Sequence, residues 1–150
     1  MRRLPVRSKE YDKMFYLCWL LERLHRSTNL PHYELVKKIG NAKLHHIYDY
    51  ADAYHSENPD KVVGELAEEL GLPTPSLFHE LPEERKNPPF SKMAKSATRV
   101  INEVYGDDHV NGVYNYYTSF LPPLLSDVKN NLYWSSKEYL VACYKEGTLL

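Results

Sequence analysis

Apolar residues recur at intervals of three and four along almost the whole chain, and alternating runs of the strand type are absent. From Ser8 to about Ser27, Tyr11, Met14, Cys18, Leu21 and His25 form one stripe, which Phe15, Leu17, Leu20 and Leu24 widen. So broad an apolar surface predicts a central helix touched on several sides. A second helix opens at Pro31, runs through Leu35 and Ile39, and stops at Gly40. A third is expected from about Ala42 to Ser56, with Leu44, Ile47, Tyr48, Ala51 and Tyr54 on one face. Asp60 is placed as the cap of a fourth, in which Val62, Val63, Leu66, Ala67 and Leu70 keep the spacing until Gly71. A short turn from Ser76 to Leu81 follows.

Residues 81–90 hold three prolines and four charges, and read as a surface connection between two candidate sub-bundles. Beyond it, Ser91 is expected to cap a helix carrying Met93, Ala94, Ala97, Val100, Ile101 and Val104, ended by Gly106. A further helix is predicted from about Asp108, as cap, to Phe120, with Val110, Val113, Tyr114 and Tyr117 inward. Pro122 and Pro123 are expected to break it before Leu124, Leu125, Val128 and Leu132 begin another. Ser135 and Glu138 form a capping box for the last helix, whose stripe is Leu140, Cys143 and Tyr144. The pattern predicts an all-α fold, a single domain over residues 1–150 built as a compact bundle of seven to nine short helices.

Composition narrows the class without naming a chemistry. Apolar residues make up 43% and charged residues 26% of the 150, as in an ordinary globular chain. The net charge of −1 argues against wholesale electrostatic capture by nucleic acid or anionic lipid. The longest apolar run, Phe15 to Leu21, is too short to span a bilayer, so no membrane partner is expected. The basic start lacks a cleavage-site pattern, and Cys18 and Cys143 lie in helical stripes. Both features predict a cytoplasmic protein with core thiols and no disulfide framework. Charge is uneven: residues 1–26 carry seven basic and three acidic side chains, residues 59–90 three basic and seven acidic.

Several constellations carry candidate chemistry. Residues 62–81 resemble the first helix and turn of a helix-turn-helix, with Gly71 at the turn and Leu66, Leu70, Leu72 and Leu77 at packing positions. A DNA-reading role would need a basic second helix, whereas this segment is acidic. His45, Asp49, Asp52 and His55 have a spacing that can align metal ligands, but on a helical wheel His55 joins the apolar stripe while His45 and Asp49 point outward. No metal and no cofactor are therefore predicted. His25, His55 and Asp52 remain as a candidate polar site. No nucleophile motif or phosphate loop accompanies them, and the balance is against an enzyme.

The 13 tyrosines are the most unusual feature of the composition. Tyr105, Tyr114, Tyr116 and Tyr117 crowd the C-terminal half with Tyr133 and Trp134. Tyr116 lies off the core stripe, so Tyr116, Tyr133 and Trp134 are the candidate partner-binding residues. Aromatic platforms for single strands sit beside Lys and Arg, and residues 91–150 carry six basic residues offset by six acidic. A protein partner fits that balance better.

From about Tyr16 to Leu70 the chain resembles a family of short, uncharacterised bacterial helical proteins. The similar positions are Leu21-Glu22, Leu30, Glu34-Leu35, Ile39, Ile47, Asp49, Tyr50, Asp52, His55, Pro59, Val63 and Leu66. Members are often encoded beside a predicted ADP-ribosyltransferase-like protein. The resemblance thus implies a two-component module and an antitoxin-like or regulatory partner role, and carries no catalytic residue. Pro31 and His32 depart from it, standing where a small cap is usual. The expectation is a bacterial protein-interaction module, with the helix-turn-helix regulator as the alternative.

Overall fold

The computed structural model describes residues 2–150, and they form an all-α bundle. Among the described residues eight helices have six or more residues: α1 (Lys9–Thr28), α2 (His32–Ile39), α3 (Asn41–Asp49), α5 (Pro59–Leu70), α7 (Phe90–Tyr105), α8 (His109–Tyr117), α9 (Leu121–Ser126) and α10 (Lys137–Glu146). Two single-turn helices, α4 (Ala51–His55) and α6 (Glu83–Lys86), complete the set, with short 3-10 turns between elements. No helix among the described residues is long and apolar enough to cross a membrane.

The 20-residue α1 is the axis of the bundle. The Ser8 hydroxyl accepts from the Tyr11 amide to start it, and Asn29, in the left-handed region at φ 61°, ends it. Met14, Leu17, Cys18, Leu20 and Leu24 are fully buried along it. Its most extensive packing is against α7, where Ala94 and Ala97 let the two backbones approach. The helices α2, α3, α4, α5 and α8 cover the other sides, and α10 lies on α7. Residues from both sides of the 81–90 connection belong to one hydrophobic cluster, so that segment bridges a shared core and does not divide it.

Gly112 shows how tightly α7 meets α8. A Cβ there would lie 2.7 Å from the Tyr105 ring, so glycine is required by space. The N-terminal segment is tied down as well. The Leu4 amide donates to Asn102 Oδ1 (2.8 Å) and Asn102 Nδ2 donates to the Leu4 carbonyl (3.0 Å).

Several element ends differ from the sequence expectation, each for a local reason. The third helix is two pieces, because Tyr50 leaves the helical region (φ −104°, ψ 23°) between α3 and α4. Asn58, not Asp60, caps α5: its side chain accepts from the Asp60 amide, leaving Pro59 at the first turn. Pro89 precedes α7, so Ser91 falls inside the helix. Asp108 caps nothing with its side chain, which accepts instead from Asn111 Nδ2 (2.8 Å). Pro122 and Pro123 sit in the first turn of α9, where no amide is needed. Ser136, not Ser135, caps α10 by accepting from the Tyr139 amide.

Candidate functional site

Two regions concentrate titratable and aromatic side chains. The first is inside the bundle. Cys18, Glu22 and Arg26 follow one another at four-residue spacing on α1, which puts them on one inward face. Glu22 is 1% exposed, and both its oxygens are used. His32 Nε2 donates to Oε1 (3.1 Å) and the Tyr117 hydroxyl donates to Oε2 (2.9 Å). One carboxylate thereby joins α1, the first residue of α2 and the last residue of α8. Burial by itself would raise the Glu22 carboxyl. The His32 ring and its hydrogen bond, with His25 and Arg26 further off, outweigh that and hold it below its ordinary value.

His25 stacks on His32, with centroids 3.7 Å apart and planes 20° from parallel. Its Nδ1 donates to the Leu30 carbonyl (2.5 Å), which fixes the tautomer. Burial, then the neighbouring His32, push His25 down to about 4. The Tyr117 hydroxyl is driven far up by burial and by Glu22, and the Cys18 thiol is driven up by the same two causes. The cluster thus holds a carboxylate charge and keeps His25, the thiol and the phenol neutral at pH 7. A thiol kept neutral in this way is no nucleophile. Enclosure on all sides suits the Glu22 triad to joining helices, not to meeting a substrate.

The second region is open. A groove of about 670 Å³ runs between α1 and α4 and on to the start of α5. Phe15, Tyr16 and Trp19 from α1 form its floor with His55 from α4. The Tyr16 ring lies 6.1 Å from Trp19 and 5.2 Å from His55. Arg23 backs this floor: its guanidinium covers Trp19 at 5.5 Å and Phe78 at 5.1 Å, and it bonds to Asp60 (2.5 Å). Asp12, Asp52, Glu57 and Lys13 carry charge along the groove, with the Lys9 ammonium beside Asp52 and that of Lys61 beside Glu57. Burial, with Tyr54 and Glu57 adding to it, pushes the Tyr16 phenol up to about 12, so it stays a neutral donor.

The structure brings His55 and Asp52 together in this groove and leaves His25 apart, in the interior cluster. His55 is exposed, not on a core stripe, because the break at Tyr50 re-phases α4 relative to α3. Tyr116 requires a larger correction. It is 1% exposed, packed edge-on against Tyr117 at 5.0 Å and beside Tyr144 at 6.0 Å. Helices α1, α2, α3, α7 and α9 all touch α8, so positions off its expected stripe are covered too.

Tyr133 is half-buried and Trp134 is 63% exposed, their rings 5.1 Å apart. Lys92 sits over Trp134 at 4.6 Å, and Lys95 and Arg99 line the same shallow depression. These cations come from α7, so counting charge along the sequence missed their proximity. The segment 62–81 forms α5, an extended stretch, and a three-residue 3-10 turn at Phe78–Glu80. It lacks the second helix that a helix-turn-helix inserts into DNA. Among the described residues no three His, Cys, Asp or Glu side chains converge as metal ligands. Cys18 and Cys143 are both buried and unpaired.

The sequence patterns place Tyr117 inward and name Glu22 and His32 only within the family resemblance; they do not join Glu22, His32, Tyr117 and Arg26 into one site. The signal for the first and last of these is the charge of Glu22 and Arg26 in register with Cys18, on the inward stripe of the longest helix. No family model, curated protein or solved structure matches the chain, so the two regions are judged by their own chemistry.

Proposed function

We propose that this chain is a protein-interaction module that seats a basic segment of a partner protein in the groove between α1 and α4. The observation that carries the reading is an aromatic floor (Phe15, Tyr16, Trp19 and His55) under three rim carboxylates, Asp12, Asp52 and Glu57. Aromatic faces attract ammonium and guanidinium groups, and rigid rings give contact area at low entropic cost. Rim carboxylates steer a cationic partner and set its register. Lys9 and Lys61 stand 3.7 and 3.6 Å from Asp52 and Glu57. Exposed pairs of that length contribute little, so incoming cations displace them readily. The family resemblance is consistent with such a role: a bacterial, cytoplasmic, antitoxin-like or regulatory protein acting on a partner.

The test uses Trp134→Phe, which leaves Trp19 as the sole tryptophan of a chain that has two. A capped Lys/Arg-Gly peptide is expected to change Trp19 emission saturably, and its Glu counterpart to leave it unchanged. Asp52→Asn with Glu57→Gln should weaken the basic peptide severalfold. An unresponsive Trp19, or equal affinity in the double variant, sinks the proposal.

A second reading is favoured by the Trp134 face. An exposed indole and a tyrosine beside Lys92, Lys95 and Arg99 suit a single-stranded nucleic acid, which stacks its bases and neutralises its phosphates. Binding of an oligonucleotide that weakens steeply with salt and is lost in Trp134→Ala would move the function there.

A further inference from the structure

The α1–α4 groove has a neighbour on the far side of α1. Asp12, Phe15 and Trp19 follow one another at three- and four-residue spacing on α1, which puts them on one face, and all three reach solvent. Tyr16 lies to the α4 side of that strip, in the lining of the groove. Tyr11 lies to the other side, in a depression of about 330 Å³ between α1 and α7. Phe15 borders both spaces, so the two open onto one strip of α1, floored by the half-buried rings of Phe15 and Trp19. The walls carry opposite charge. Asp52 and Glu57 stand exposed on the α4 side. Lys95 and Arg99, one turn apart on α7, stand exposed on the other. Among the described residues neither of these cations forms an ion pair, whereas Glu103, the carboxylate on that side, is shared between Arg3 (2.6 Å) and Lys137 (3.5 Å).

We propose that this two-walled valley takes a helix of the partner protein, one whose apolar stripe has basic residues along one flank and acidic residues along the other. The inference rests on the α1–α4 groove as the docking site and adds the α7 wall, which a merely basic segment leaves unused. A helix suits the space, because the strip from Asp12 to Trp19 spans about 10 Å, the reach of apolar residues at i, i+4 and i+7. An extended strand turns its side chains alternately to two faces, and does not offer an apolar line between two charged ones. The stripe of the bound helix covers Phe15 and Trp19, its basic flank meets Asp52 and Glu57, and its acidic flank meets Lys95 and Arg99. A helix basic on both flanks sets cations against Lys95 and Arg99, and that repulsion selects against it.

Helical peptides of one length and one apolar stripe, free of tryptophan, carry Lys on both flanks, Glu on both, or Lys on one and Glu on the other. A scrambled form of the last keeps its composition and loses its flanks. Binding to the whole chain bearing Trp134→Phe is read from Trp19 emission at about 0.15 M salt, where distant charges are screened. The mixed peptide is expected to bind at least about fivefold tighter than the all-Lys or the scrambled one, with the all-Glu peptide weakest. Lys95→Glu with Arg99→Glu should reverse the order of the mixed and all-Lys peptides, and the milder pair Lys95→Gln with Arg99→Gln should remove the difference between them. An all-Lys or scrambled peptide binding as tightly as the mixed one, or a preference unchanged in both pairs of variants, overturns the inference. If the all-Lys peptide is then still weakened by Asp52→Asn with Glu57→Gln, the basic-segment reading stands without the helix. Trp19 emission unmoved by every peptide overturns both.

Discussion

The interior cluster and the α1–α4 groove are built from the same side chains, and they behave in opposite ways. Each has a histidine against a tyrosine ring and carboxylate chemistry close by. Inside, Glu22, His32 and Tyr117 satisfy one another and are closed to water. At the groove, His55, Tyr16 and Asp52 share a wall without a hydrogen bond joining them, and water reaches the carboxylates. The lesson is that residue types do not set the role. Whether polar groups find partners within the chain decides between a joint that holds helices and a surface that awaits something else.

The contrast is broken most directly at Glu22. Glu22→Ala leaves His32 and the Tyr117 hydroxyl facing a wall that accepts nothing, and is expected to cost about 3–5 kcal/mol by urea denaturation. A cost below about 1 kcal/mol, the level of an exposed pair, would erase the distinction. Acid is the next largest probe. Unfolded His25 takes a proton near its ordinary 6.5, whereas the folded ring, facing His32, Glu22, Arg26 and the Leu30 carbonyl, resists until about 4. The unfolded chain binds more protons across that interval, so stability should fall by about 3 kcal/mol as pH drops from 6.5 to 4. His25→Gln should flatten the profile there. Below 4.5 Glu22 continues the decline, because its folded carboxyl is the stronger acid.

Tyr117→Phe removes one hydrogen bond to a buried charge and is expected to cost about 1.5–3 kcal/mol. At the groove the effects on folding should be smallest. Asp52→Asn is expected to stay within about 0.5 kcal/mol of the parent protein while weakening the basic peptide. A stability loss as large as that of Tyr117→Phe would mean the groove is also a structural joint.

The helices were legible because their signals are local. Apolar spacing placed α1, α5 and α7, and Gly71 stands in the left-handed region (φ 66°) at the end of α5 as its position suggested. Errors arose where two neighbours compete for one role, as Ser135 and Ser136 do at α10, and at Tyr50, where no Gly or Pro marks the break. The interior cluster was not legible, because Tyr117 lies 95 residues from Glu22 and His32 sits on a different helix from both, so the three meet only through packing. Tyr116 misled for a related reason: a helical wheel shows one stripe, whereas α8 is enclosed by five helices.

The clasp between Leu4 and Asn102 has a consequence during synthesis. The chain emerges N-terminus first, and α1 is complete long before α7 exists. The apolar flank of α1 that α7 covers stays uncovered until some eighty further residues have been made, and Leu4 waits equally long for its partner. Contacts of such sequence separation form late and leave sticky surface exposed in the meantime. The helix at the centre of the finished protein is thus the first made and among the last enclosed, and a nascent chain halted before residue 90 carries its most aggregation-prone surface unshielded.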